Sequence, residues 1–188
     1  SQASAAPGSG VITGVSAGTP NIIYTLPTGC TATMPILVNP LPSPITGTST
    51  MCTGASSTLA DVTPGGTWSS SNTAVATVIP GSGVVTGTAA GTATISYTLG
   101  TGCAGTVNAV INPLPTSYSV TGGGGYCVGT SGVHVGVNFS NSGVNYKLYN
   151  GSTLVSTVGG SNAGLDFGLQ TATGTYSVTA INATTGCT

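Results

Sequence analysis

The chain has 188 residues, with 31 Gly, 11 Pro and 56 Ser plus Thr, yet only one Lys, no Arg, two Asp and no Glu. With 2% charged residues and a formal net charge of −1, against roughly 25% charged in an ordinary soluble domain, it offers no basic footprint for nucleic acid, no polybasic patch for a membrane surface and no field to steer a charged substrate. A hydrophobic content of 39% and a mean hydropathy of +0.38 supply enough apolar material for packed cores, while no apolar run approaches the ~18 residues of a spanning helix.

In chain order, the opening Ser1-Gln-Ala-Ser4 has neither a charged n-region nor an apolar h-region, so a mature chain or an internal piece of a longer one is expected. Gly8-Ser-Gly-Val-Ile-Thr-Gly14 follows, and a shift of 73 residues lays it on Gly81-Ser-Gly-Val-Val-Thr-Gly87. The same shift lays Ala17-Gly-Thr19 on Ala90-Gly-Thr92, Tyr24-Thr-Leu26 on Tyr97-Thr-Leu99, Thr28-Gly-Cys30 on Thr101-Gly-Cys103 and Asn39-Pro-Leu-Pro42 on Asn112-Pro-Leu-Pro115. A period this long exceeds a solenoid unit and suits one small domain per repeat. Each Asn-Pro-Leu-Pro reads as a short, semi-rigid hinge, because Pro fixes φ and biases its predecessor toward extended backbone.

These hinges divide the chain into residues 1–42, the C-terminal part of one module, 43–115, a complete module, and 116–188, a third module lacking its last strand. Within the second, Ala93, Ile95, Tyr97 and Leu99 alternate with Thr94, Ser96 and Thr98, and shorter extended runs fall at 67–70, 74–78 and 106–111. In the third, Val144, Tyr146 and Leu148 alternate, as do Tyr176, Val178 and Ala180. Helix formers are scarce and Gly or Pro recurs every few residues, so the expected fold is all-β: antiparallel β-sandwich modules, with Trp68 as core filler between sheets.

The five cysteines fall into two alternating kinds. Cys30, Cys103 and Cys187 end Thr-Gly-Cys tripeptides, whereas Cys52 and Cys127 stand two residues before Gly54 and Gly129. Neither zinc spacing nor Cys-x-x-Cys occurs, so structural disulfides in an oxidising compartment are expected. The simplest scheme closes each module on itself, Cys52 with Cys103 and Cys127 with Cys187, each 51- or 60-residue loop contributing about 4 kcal/mol by chain entropy. Cys30 is then left unpaired or paired outside the chain.

Trp68-Ser-Ser-Ser-Asn72, Val75-Ala-Thr-Val78, Gly83-Val-Val-Thr-Gly87 and Ala90-Gly-Thr-Ala-Thr-Ile95 resemble the bacterial immunoglobulin-like group 2 domain. The resemblance covers 43–115 fully and 1–42 as a C-terminal half, and it implies a seven-stranded Ig-like sandwich used as a spacer in surface adhesins and fibres. The cysteines and the Asn-Pro-Leu-Pro hinge are similar to those of large, nearly charge-free repeat proteins secreted by Bacteroidetes. The third module, with Gly143 to Tyr149, Phe167 to Ala172 and Gly174 to Val178, resembles a divergent repeat type from the same kind of protein.

Chemistry is sparse. Acid/base work has only Asp61, His134, Lys147, Asp166 and the tyrosines to draw on; a surface ion pair between Lys147 and Asp166 is the ordinary reading, with His134 turned to solvent. Two Asp 105 residues apart hold no calcium, and Gly122 to Gly125 precedes no Gly-Lys-Ser/Thr, so no metal, cofactor or catalytic residue is expected. Asn138, Asn150 and Asn182 match the glycosylation acceptor pattern. The sequence thus points away from an enzyme and toward a structural repeat segment of an extracellular filament or cell-surface stalk. Its partners are copies of the same chain or adjoining repeats of one long chain, with neither nucleic acid nor membrane insertion. The alternative is an adhesin that binds surface glycans, to be separated by whether Tyr118, Tyr126, Tyr146, Tyr149 and Tyr176 converge on a groove or are used in cores.

Overall fold

The computed structural model describes residues 2–188. The molecule is all-β, with no helix among the described residues and mostly antiparallel pairing. It divides into two compact units, one holding residues up to 51 with 56–88 and 92–110, the other 52–55, 89–91 and 111–188.

The first unit opens with two hairpins. β1 (Ala3–Ala5) pairs with β2 (Ile12–Gly14), and β3 (Asn21–Thr25) with β4 (Thr31–Pro35). Next in chain order, with Cys52, Gly91 and residues 111–112 counted in the second unit, come β5 (Thr50–Cys52), β6 (Ser56–Thr58), β7 (Gly66–Ser70), β8 (Ala76–Val78), β9 (Val84–Gly87), β10 (Gly91–Leu99) and β11 (Ala104–Asn112). They form a four-stranded sheet in the order β5-β11-β10-β7 and a three-stranded sheet in the order β6-β9-β8. The alternation read in β10 is the burial pattern found: Ala93, Ile95 and Tyr97 are buried, and Val85 on β9 and Ala76 on β8 supply buried positions in the other sheet. Trp68 is 5% exposed, its ring centroid 4.8 Å from that of Tyr97. The indole also explains Gly83. That residue has φ +70°, and a Cβ there would come within 2.9 Å of the Trp68 ring.

The hairpins at the start repeat local geometry found later in the unit. Ala3 faces Gly14 as Ala76 faces Gly87, each pair offset by 73 residues. The Leu26 N–H donates to the Cys30 carbonyl at 2.8 Å, and the Leu99 N–H to the Cys103 carbonyl at 2.9 Å. Burial does not repeat. Tyr24 is 67% exposed where its counterpart Tyr97 is 6% exposed, and Ile12 is 37% exposed where Val85 is fully buried.

The second unit contains β12 (Val120–Gly122), β13 (Val133–Val137), β14 (Val144–Asn150), β15 (Thr153–Gly159), β16 (Leu165–Gln170) and β17 (Tyr176–Asn182). One sheet runs β12-β13-β16 and the other β15-β14-β17. Between them lie Val137, Val144, Tyr146 and Leu165, with Tyr118, Val158, Phe167, Val178 and Ala180 packed alongside. Burying apolar side chains from both faces is the favourable term that holds two such sheets together.

Candidate functional site

The cysteines are the residues whose placement departs most from expectation. Cys52 is bonded to Cys187, with Cα atoms 5.6 Å apart, while Cys30, Cys103 and Cys127 are free thiols. The pairs Cys52–Cys103 and Cys127–Cys187 are therefore not formed. A bridge requires Cα atoms roughly 4.4 to 6.8 Å apart, and which turns come that close is set by the fold, not by membership of a repeat. The Cys52 turn is fastened through Thr53, whose N–H and Oγ1 both donate to the Asn112 carbonyl, at 2.9 and 3.1 Å. Both bonded cysteines lie in the second unit. The Cys103 thiol instead lies 4.0 Å from the Asn39 carbonyl oxygen.

The expected pair of Lys147 and Asp166 is also replaced. Asp166 lies on β16, beside β13, and its Oδ2 meets His134 Nδ1 at 2.6 Å, the two side chains being 55% and 62% exposed. Lys147 is on β14, in the other sheet. The Gly168 N–H donates to Asp166 Oδ1 at 2.8 Å, and this bond, together with the hydrogen bond and charge of His134, outweighs the opposing desolvation and holds the carboxyl below its ordinary value. His134 points to solvent, as expected. Asp61 is distant in sequence and accepts from the Thr63 N–H at 2.7 Å, an ordinary turn contact. Among the described residues no cluster of three or more metal-ligating side chains occurs.

The tyrosines divide between core and groove. The Tyr146 hydroxyl accepts from the Asn141 N–H, and Tyr118 donates to Asn141 Oδ1, both at 2.9 Å, so these two rings serve the interior. Tyr126 and Tyr176 line a cavity of about 520 Å³ together with Val120, Val133, Val135 and the Gly122 to Gly125 loop. Their hydroxyls donate to the carbonyls of Thr171 and Ala172. Tyr149 is half-buried, opposite the bulge that Val155 makes in β15. The carboxamides of Asn138, Asn150 and Asn182 are engaged with nearby backbone.

Residues 49–110 match the family model of the bacterial Ig-like domain (group 2). Such domains are generally non-catalytic structural modules. Comparison with curated proteins gives no match. Among solved structures, the crystal structure of the S-layer protein rSbsC(31-844) aligns with 97% of this chain at 19% identity and a TM-score of 0.25. The chain spans 28% of that structure's length.

Proposed function

We propose that the chain is a structural repeat segment of an extracellular filament or cell-surface stalk, divided at the Asn-Pro-Leu-Pro hinges into 1–42, 43–115 and 116–188, and that it assembles through β-rich, nearly uncharged surfaces. The observation that carries this reading is the number of large apolar side chains left exposed within residues 2–42. Tyr24 and Ile12 are exposed at positions whose counterparts 73 residues later are buried, and Ile23, Met34, Leu37 and Leu41 are exposed with them. On the β3–β4 hairpin Tyr24 and Met34 share one face and Ile23 lies on the other, and exposed apolar side chains of this size favour association. Charge does not oppose it: the single Lys lies on the central strand β14 and not on an edge, where Lys ordinarily guards against strand pairing. A disulfide and a bacterial Ig-like domain both suit a location outside the cytoplasm.

The test is the mass of the natively purified chain by light scattering, with electron microscopy of the same sample. Oligomers that grow with concentration and visible fibres are expected, and a stable monomer at high micromolar concentration without fibres refutes assembly. The cavity at Tyr126 and Tyr176 favours a second reading as a glycan-binding adhesin. It predicts saturable glycan binding on an array that Tyr126→Ala and Tyr176→Ala abolish, and no binding to any glycan refutes it.

A further inference from the structure

The backbone presents the five cysteines in two turn types. In the first, Cys52 and Cys127 are followed by Gly54 at φ +84° and Gly129 at φ +89°, and the Ala55 and Thr130 N–H groups donate back to the cysteine carbonyls at 3.0 and 3.1 Å. In the second, Gly29, Gly102 and Gly186 have φ of +87°, +87° and +73°, and the carbonyls of Cys30, Cys103 and Cys187 accept from Leu26, Leu99 and Asn182 at 2.8, 2.9 and 2.9 Å, the Cys187 turn being one residue longer than the other two. The bond that forms takes one cysteine of each type and passes over Cys103 and Cys127. In sequence terms, the first-type cysteine of one proposed module is joined to the Thr-Gly-Cys of the next.

By the same rule Cys127 requires a Thr-Gly-Cys turn from a module that follows the third. Cys127 is exposed and free. Cys30 is an exposed, free thiol on such a turn, whereas Cys103 is partly buried with its sulfur at the Asn39 carbonyl. We propose that Cys127 of one copy forms a disulfide with Cys30 of a second copy, joining chains head to tail by the pairing that Cys52 and Cys187 make within one chain. The proposal rests on the assembly reading and names its covalent contact. Because the two turns differ, the contact is heterologous and leaves a free Cys30 at one end and a free Cys127 at the other, so it propagates.

The oxidant is a disulfide compound, such as oxidised glutathione. The Cys127 thiolate attacks one of its sulfurs, forming a mixed disulfide and expelling a thiolate; Cys30 of the second copy, as thiolate, then attacks the Cys127 sulfur and expels the other. Two protons leave the cysteines, and two electrons reduce the oxidant to two thiols.

The experiment exposes the full chain, purified without reductant, to oxidised glutathione, followed by non-reducing electrophoresis and mass spectrometry of peptic peptides made at acidic pH. A ladder of covalent oligomers is expected, collapsing to one band in dithiothreitol and containing a Cys30–Cys127 peptide between chains. Cys30→Ser and Cys127→Ser should each abolish the ladder, and Cys103→Ser should leave it intact. Symmetric Cys30–Cys30 or Cys127–Cys127 dimers, a Cys30–Cys127 bond confined to monomers, or a ladder that survives Cys30→Ser would overturn the proposal. Fibres by electron microscopy that lack the linking peptide would overturn this bond while leaving assembly standing, and a monomer with no interchain disulfide and no fibres would overturn both.

Discussion

Replacing Tyr97 by Phe removes one hydroxyl from a ring that is 6% exposed and otherwise keeps the packing against Trp68. That hydroxyl donates to the Thr63 carbonyl at 2.6 Å and accepts from the Gly66 N–H at 2.9 Å, so it ties the loop before β7 to the centre of β10. Two hydrogen bonds at about 0.5 to 1.5 kcal/mol each give a loss of about 2 kcal/mol, with water recovering part of it at the half-buried loop residues. At roughly 4 to 8 °C per kcal/mol for a domain of this size, Tm falls by about 10 °C. Trp68 is the only tryptophan, and its emission during urea unfolding reports on this domain alone. Tyr24→Phe is the matched control, since the counterpart ring is 67% exposed, and it should change stability by less than about 0.5 kcal/mol. A Tyr97→Phe variant within about 0.5 kcal/mol of the parent, or a Tyr24→Phe variant as damaging, would refute the burial argument.

Gly83→Ala should cost about 3 kcal/mol or more in the same assay, because its Cβ would lie 2.4 Å from the Leu59 carbonyl oxygen as well as against Trp68; Gly65→Ala, also at positive φ but with nothing within 4 Å, should cost about 1 to 2 kcal/mol. Trypsin has one site, Lys147, on a strand paired on both sides, so cleavage without denaturant should be slow and should accelerate only with unfolding, measured by the appearance of two fragments on reducing gels, since the Cys52–Cys187 bond otherwise holds them together. For Asp166, NMR titration should give a midpoint below that of a free aspartate, about 3.9. The sign follows from the lowered value: any stabilisation from the ionised carboxyl is fully present above the unfolded-state pKa and is lost as pH falls through the lower folded-state pKa.

Strands were legible in the sequence because the β pleat gives side chains a period of two. The positions of Ala93, Ile95 and Tyr97 follow from that period, and the buried Trp68 follows from size and hydrophobicity. Alternation identifies a face without saying what covers it, which is why Tyr24 and Tyr97 look alike in sequence and differ in exposure. The cysteine turns were equally legible as two types. Their pairing was not, since the anchoring of Thr53 to Asn112 joins residues 59 apart and leaves no local signature. The partner of Asp166 was hidden for a similar reason: the sequence places His134, Lys147 and Asp166 on three strands, and only the sheet order puts β16 beside β13. Tyr126 and Tyr176 were identified as tyrosines to watch, but their shared cavity depends on the loop that joins β12 to β13 and on the residues before β17.

The Cys52–Cys187 bond also sets how the chain responds to tension. Cys187 is one residue from Thr188, and the bond spans 135 positions of sequence. A pull on the two ends is carried from Cys52 through the two sulfur atoms to Cys187, bypassing the intervening polypeptide. Strands β6 to β17 are thereby shielded from the load while the bond is intact. Reduction removes the shortcut and makes available about 450 Å of extended backbone at ~3.3 Å per residue. A thiol reagent would therefore convert a short, stiff tether into a long, extensible one, a change that single-molecule stretching would register as added contour length.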